Sequence, residues 1–200
     1  DANETRQMTR AIAALHGPVY MRITRNDMPD VLPEDHQFVL GKPVVVREGS
    51  AGGIVLFAIG QMVSLGLQAA EMVADEGIMV RVVNVSTLKP VDEAALKALA
   101  GGMKGIVTAE EHSLVGGLAS LIAFVFRGSG LPMESIGIRD QYGQSAQNYQ
   151  VLLEEYGLTP QHIANALRKV AAEAGVVGPS VRYAETPAPR GIWHQLEVPR

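Results

Sequence analysis

Three stretches of the chain carry side chains able to do chemistry. The first runs Thr108-Ala109-Glu110-Glu111-His112-Ser113-Leu114-Val115-Gly116-Gly117-Leu118. A histidine beside two carboxylates can relay a proton, because imidazole titrates near neutrality. The same residues also suit a structural task. Glu110 and Glu111 before a helix are favoured by its dipole, and His112 can hydrogen-bond its neighbours. For His112 the structural or subunit-interface reading has the greater weight. A metal site is disfavoured, since no second histidine stands at ligand spacing. The second stretch is Tyr142-Gly143-Gln144-Ser145, with Leu152-Leu153-Glu154-Glu155-Tyr156-Gly157-Leu158-Thr159 after it. Ser145 has no histidine–carboxylate pair spaced to activate it, so it is expected to cap the next helix. The third is Arg25, just past a short apolar run. A guanidinium is always charged and offers paired donors to tetrahedral oxyanions. The competing reading is a surface arginine paired with Asp27 or Asp30.

Two glycine features suggest phosphate binding and do not sustain it. Gly116-Gly117 lacks both the Gly-x-Gly-x-x-Gly pattern and a following Lys-Ser/Thr. Gly60 opens a helix after a strand, which can present amides to an anion, but no further glycines support it.

These residues sit on a regular alternation of strands and helices. A helix is expected from Asp1 to Leu15, with Asp1 as N-cap and Glu4 at capping-box spacing. Gly17-Pro18 breaks it, and Val19–Ile23 reads as a strand. Residues 24–42 contain Pro29, Pro33 and Gly41 and read as a linker, with one short strand expected at Gln37–Leu40. Short strands follow at Pro43–Arg47 and Ile54–Ile59. A helix from Gly60 to about Asp75 has apolar residues at helical spacing and is stopped by Gly77. Further strands are expected at Met79–Val85, Gly105–Ala109 and Glu134–Ile138. Further helices are expected at Pro90–Ala100, Leu114–Arg127, Asn148–Tyr156 and Thr159–Ala174, the last with Thr159-Pro160 as cap and first turn. Such alternation implies a largely parallel sheet covered on both faces, with the Pro43–Arg47 strand antiparallel at an edge. From Gly175 the pattern fails. That segment holds four prolines and Trp193, and reads as an extended tail packing Trp193 on this or another subunit.

Composition narrows the function classes. The chain has 200 residues, 47% hydrophobic and 19% charged, enough to bury a sizeable core. The net charge is −4, and no Lys/Arg run marks a nucleic-acid footprint. No apolar run approaches the roughly 18 residues of a membrane span. Without cysteine there is neither disulfide nor thiolate metal site, which fits a cytoplasmic protein. The chain lacks an initiator Met and is expected to be processed, trimmed or incomplete at its front.

Taken in order, several motifs resemble the transketolase family, and specifically its C-terminal section. Asp1-Ala2-Asn3-Glu4 followed by Gly17-Pro18-Val19-Tyr20-Met21-Arg22-Ile23-Thr24-Arg25 is similar to the closing helix and strand of the family's pyrimidine-binding domain. Leu88-Lys89-Pro90-Val91-Asp92, Glu110-Glu111-His112-Ser113 and Tyr142-Gly143-Gln144-Ser145 are similar to strand exits of its C-terminal domain. The Glu110-Glu111-His112-Ser113 wording is closest to split, two-gene transketolases. Gln144 departs from the family, where an acid is common.

The resemblance implies a Rossmann-like three-layer α/β domain with a mostly parallel five-stranded sheet over 43–174. It implies a pyrimidine-binding-domain remnant at 1–30, a linker at 31–42 and a Pro-rich tail at 175–200. It implies that Arg25 holds a substrate phosphate. Glu110, Glu111 and His112 are carried as active-site or interface positions. It further implies two-carbon ketol transfer between sugar phosphates with thiamine diphosphate and Mg²⁺. In the family both are held outside these residues, so neither cofactor nor activity is expected of this chain alone. The expected partner is an N-terminal transketolase subunit or domain, in a homodimer or heterotetramer. Alternatives are a deoxyxylulose-phosphate synthase, a 2-oxoacid dehydrogenase β subunit, or a non-catalytic dimerisation or docking module.

Overall fold

A computed structural model describes residues 1–176. The expected tail, with Trp193, lies outside the described residues beyond Val176. The sheet has five strands, β1 (Val44–Arg47), β2 (Ile54–Ala58), β3 (Val80–Asn84), β4 (Gly105–Ser113) and β5 (Met133–Ile138). Their order is β1-β3-β2-β4-β5, with β1 antiparallel to β3 at the edge and every other pairing parallel. The helices are α1 (Ala2–Ala13), α2 (Met62–Met72), α3 (Glu93–Leu99), α4 (Leu118–Val125), α5 (Tyr149–Glu155) and α6 (Pro160–Glu173). This is the α/β architecture that the alternation predicts.

The central strand shows why both faces must be covered. All five residues of β2 are buried. Successive side chains of a strand point to opposite faces. Ile54, Leu56 and Ala58 accordingly join the core beneath α2 and α6, which supply Met62, Ala69, Ile163 and Leu167. Val55 and Phe57 join the opposite core with Leu96 of α3 and Leu118 and Ile122 of α4. Close approach needs glycine at one point in particular. A Cβ on Gly105 would lie 2.3 Å from Val170 Cγ1, so α6 could not seat on β4 with a larger residue there.

The N-terminal segment departs from expectation. Val19–Ile23 forms no strand, and its backbone makes no hydrogen bond to another backbone group among the described residues. A strand requires a neighbouring edge to satisfy its N–H and C=O groups, and none lies alongside. Val19, Tyr20 and Ile23 stay exposed. Gln37–Leu40 is not a strand either. Gln7 of α1 holds that stretch, donating from Nε2 to the His36 carbonyl and accepting at Oε1 from the Phe38 amide.

The predicted capping box is half made. Asp1 Oδ1 accepts from the Glu4 amide at 2.9 Å, while Oδ2 accepts from the amides of Val31 and Leu32. Glu4 does not reach back. Its carboxylate is buried and accepts from Asn84 Nδ2 and Ser86 Oγ at the end of β3.

At the opposite end of α2, Glu76 is joined to Arg168 of α6, with Nε and Nη2 of the guanidinium donating to the carboxylate at 2.7–3.0 Å. Hydrogen bonding and charge from Arg168 hold the Glu76 carboxyl below its usual value, against a smaller opposing effect of burial. A depressed carboxyl adds stability above the unfolded-state pKa and loses it as pH falls through the folded one. Glu76→Gln should therefore cost about 1–2 kcal/mol at neutral pH. The cost should shrink on acidification below about pH 4.5. Urea denaturation of both proteins at neutral and acid pH checks this; an equal difference at both would refute it.

Candidate functional site

A cleft of about 880 Å³ opens at the carboxyl ends of β2, β3 and β4, roofed by α1 and residues 20–31. The chain passes from β3 across β2 to β4, so β2 and β4 flank the point where strand order reverses. Open α/β sheets place ligands in that crevice.

Glu110 lies at the bottom of the cleft. β4 continues through Ser113, four residues beyond the expected end, and α4 begins at Leu118 rather than near Ser113. Glu110 is thus a strand residue, 1% exposed, facing the N-terminus of α4. Its Oε2 accepts from the Leu118 amide and its Oε1 from the Ala119 amide, each at 2.7 Å. Those amides have no partner within the helix, so the carboxylate caps α4 from a neighbouring strand. Burial pushes the Glu110 carboxyl up; the two amides, His112 and Arg22 draw it partly back, and the net shift is upward. The second glycine of Gly116-Gly117 is explained by this contact. A Cβ on Gly117 would sit 1.9 Å from Glu110 Oε2. Gly137 on β5 is crowded in turn, its Cβ position lying 3.2 Å from Glu110 Cγ.

Glu111, the next residue, also lines the cleft. Arg22 Nη2 donates to its carbonyl at 2.6 Å. Tyr149, first residue of α5, packs on the apolar core outside the cleft lining, and its buried hydroxyl has no hydrogen-bond partner among the described residues. Burial, then the charge of Glu111, push the phenol well above its ordinary value. His112 is about half exposed, and its Nδ1 lies 2.9 Å from the Ser113 carbonyl. A carbonyl only accepts, so Nδ1 carries the proton in this contact. Glu110 Oε2 is 4.0 Å away.

Arg25 is exposed and stands among cleft-lining neighbours Thr24 and Asn26. Neither Asp27 nor Asp30 pairs with it; Asp30 instead accepts from the Ala2 amide. Gly143, Gln144 and Ser145 are exposed and outside the cleft. Ser145 is not the cap of α5. Asn148 is, accepting from the Val151 amide at 3.1 Å, at the helix start the sequence predicts and three residues past Ser145.

The structure therefore brings Glu110, Glu111 and His112 to one cleft and leaves Arg25 at its rim. One participant is not singled out by the sequence. Arg22 lies inside an apparent strand, where alternation disguises it as a solvent-facing residue. Among the described residues, no group of three or more His, Cys, Asp or Glu could hold a metal ion, and no helix is long and apolar enough to cross a membrane.

Comparison with known proteins identifies relatives. Residues 41–163 match the family model for the transketolase C-terminal domain. The chain is 37% identical over 171 residues to the 6-deoxy-6-sulfo-D-fructose transketolase subunit SqwH of Clostridium sp. (strain MSTE9), covering 85% of this chain and 52% of that protein. It is 33% identical over 164 residues to an apulose-4-phosphate transketolase subunit of Phocaeicola vulgatus, covering 82% and 52%. It is 36% identical over 193 residues to the 1-deoxy-D-xylulose-5-phosphate synthase of Heliobacterium modesticaldum, covering 94% and 29%. A solved structure described as a split gene transketolase, inactive beta4 tetramer, superposes with a TM-score of 0.78 at 38% identity, covering 85% of this chain and 55% of that one. The chain spans about half the length of the two transketolase subunits it matches.

The Glu110 cap yields a stability test. Glu110→Gln would turn one amide-accepting oxygen into a donor and should cost about 1–3 kcal/mol. Gly117→Ala would drive a methyl into the carboxylate and should cost about as much through overpacking. Urea titrations of both variants measure this. Wild-type midpoints would show that the carboxylate does not hold α4.

Proposed function

This chain belongs to the transketolase family through its C-terminal domain, and we propose that it is the C-terminal part of a thiamine-diphosphate-dependent transketolase. The observation that carries the reading is the match, over 85% of this chain at 37–38% identity, to a transketolase subunit and to a split gene transketolase. On this reading the whole enzyme moves a two-carbon ketol unit between sugar phosphates in the cytoplasm. The partner is an N-terminal transketolase subunit or domain, in a homodimeric or heterotetrameric assembly. Residues 1–30 are the closing part of a pyrimidine-binding domain, 31–42 the linker and 43–174 the C-terminal domain. The unpaired, strand-patterned Val19–Ile23 supports that division, because it lacks the sheet a strand would join.

When bound, thiamine diphosphate with Mg²⁺ supplies the carbanion chemistry of such enzymes. The described residues do not fit that group. They bring no three metal-ligating side chains together, and neither Gly60 nor Gly116-Gly117 belongs to a diphosphate-binding glycine pattern. No step through the cofactor is assigned to this chain. Its own contribution is recognition and placement. Arg25 is an exposed guanidinium at the cleft rim with no acid engaged, available to hold a substrate phosphate. Arg22, fastened to the Glu111 carbonyl, sets the segment that carries Arg25 against the carboxyl end of β4. His112, Glu110 and Glu111 belong to the floor and to the subunit interface.

A second reading, a deoxyxylulose-phosphate synthase, is favoured by one observation: that match extends over 94% of the chain. Turnover separates the two. Mixed with its N-terminal partner, the chain should transfer ketol units between sugar phosphates and should not condense pyruvate with glyceraldehyde 3-phosphate.

Arg25→Gln in the reconstituted enzyme should raise KM for a phosphorylated acceptor about tenfold or more, with a smaller change in kcat. An unphosphorylated acceptor should be affected little, and equal effects on both would rule out the phosphate role. The chain alone should give no saturable heat with thiamine diphosphate. Micromolar binding by calorimetry would overturn the division of labour.

A further inference from the structure

On the side of α1 facing the linker lies a second groove, of about 430 Å³, walled by Arg6, Gln7 and Arg10 of the helix and by His36 and Phe38 of the linker. Arg6 and Arg10 stand four residues apart, the spacing that places two side chains on one helix face. Both are exposed, and neither makes an ion pair or hydrogen bond with a described residue. Like charges at this spacing oppose helix formation, and the helix provides no acid to relieve them. The acids of its first turn, Asp1 and Glu4, are engaged elsewhere: Asp1 with backbone amides, Glu4 with Asn84 and Ser86. Glu34 also lines the groove without pairing to either arginine.

The far wall is prepared. Gln7 fastens it through the His36 carbonyl and the Phe38 amide. The His36 side chain is only 7% exposed, and its Nε2 lies 3.8 Å from Glu4 Oε1. That nitrogen has no hydrogen-bond partner among the described residues. The unsatisfied nitrogen is turned toward Glu4, away from the groove, so two free guanidinium forks alone supply its charge.

We propose that this groove is a second anion site, distinct from Arg25, that takes the phosphate of a small phosphomonoester between Arg6 and Arg10. A phosphate dianion matches two cations. Its three terminal oxygens can accept from both forks, where a carboxylate would serve only one fully. The groove exceeds a bare phosphate, which leaves room for a small organic body. The groove lies in the segments 1–30 and 31–42 that the transketolase reading divides between domain and linker, but that reading gives none of its residues a ligand.

Inorganic phosphate, titrated at low ionic strength against a chloride-matched control, tests this by NMR of arginine Nε–Hε groups. The Arg6 and Arg10 resonances should shift together and saturate. R6Q, read on Arg10, and R10Q, read on Arg6, should each weaken that phase about tenfold or more, and R25Q should leave it unchanged. Because the wild-type resonances report directly, an unstable variant would not obscure the result. Linear drift without saturation overturns the site. So does saturation of the remaining arginine at wild-type affinity in both R6Q and R10Q. Loss on R25Q alone also overturns it, while favouring a phosphate role for Arg25.

Discussion

The site is organised around one carboxylate placed against the end of a helix. Glu110 is buried on β4 and accepts from two α4 amides that would otherwise be unpartnered. An isolated charge in that position would be costly; the amides and the dipole of α4 make it tolerable. Several local features follow from that contact. β4 must stay extended past Ala109 to bring the carboxylate under α4. Gly117 must lack a Cβ, and Gly137 must leave room for the Glu110 stem. Extension also alternates side chains, so Glu111 does not share the face of Glu110, and its backbone carbonyl is left to accept from Arg22.

The sheet supplies the rigidity beneath. β2 is buried on both faces, and its alternate residues divide between two apolar cores. The reversal of strand order beside β2 opens the cleft at the carboxyl ends, and the glycine contacts set how closely helices approach. Gly105 against Val170 is the tightest of these on the α6 side. The scaffold therefore rests on apolar packing, whereas the cleft rests on hydrogen bonds.

That distinction explains what is legible in the sequence. Buried strands and amphipathic helices announce themselves by period, and the alternation predicts each of the five sheet strands and a largely parallel sheet with the first strand antiparallel at its edge. Asp1, Gly77 and Pro160 mark helix ends because their local chemistry suffices. Features that depend on distant partners are not visible. Glu110 reads as a helix-start acid; it does serve α4, but from a strand. Ser145 reads as a cap, yet it stands three residues before the helix start, where Asn148 takes that task. Val19–Ile23 has the pattern of a strand, but pattern alone cannot supply a neighbouring edge. Arg25 can be recognised from its motif, whereas Arg22 becomes apparent only when its donor is seen on the Glu111 carbonyl.

The N-terminal segment illustrates the same contrast energetically. Within residues 1–42 only Leu32 among the hydrophobic residues is buried. The segment is held instead by directed polar contacts: Asp1 to Val31 and Leu32, Glu4 to Asn84 and Ser86, Gln7 to His36 and Phe38, Arg22 to Glu111. Each such bond contributes about 1 kcal/mol net, because water competes for the same groups. Burial of a large apolar side chain contributes about 1.5–3 kcal/mol. Few apolar contacts and many exposed hydrogen bonds are the marks of a unit that opens before the global fold is lost. The roof of the cleft is therefore the part of the molecule whose position responds most readily to a ligand or to a partner that pairs with Val19–Ile23. The floor, by contrast, is fixed by Glu110 and the two cores.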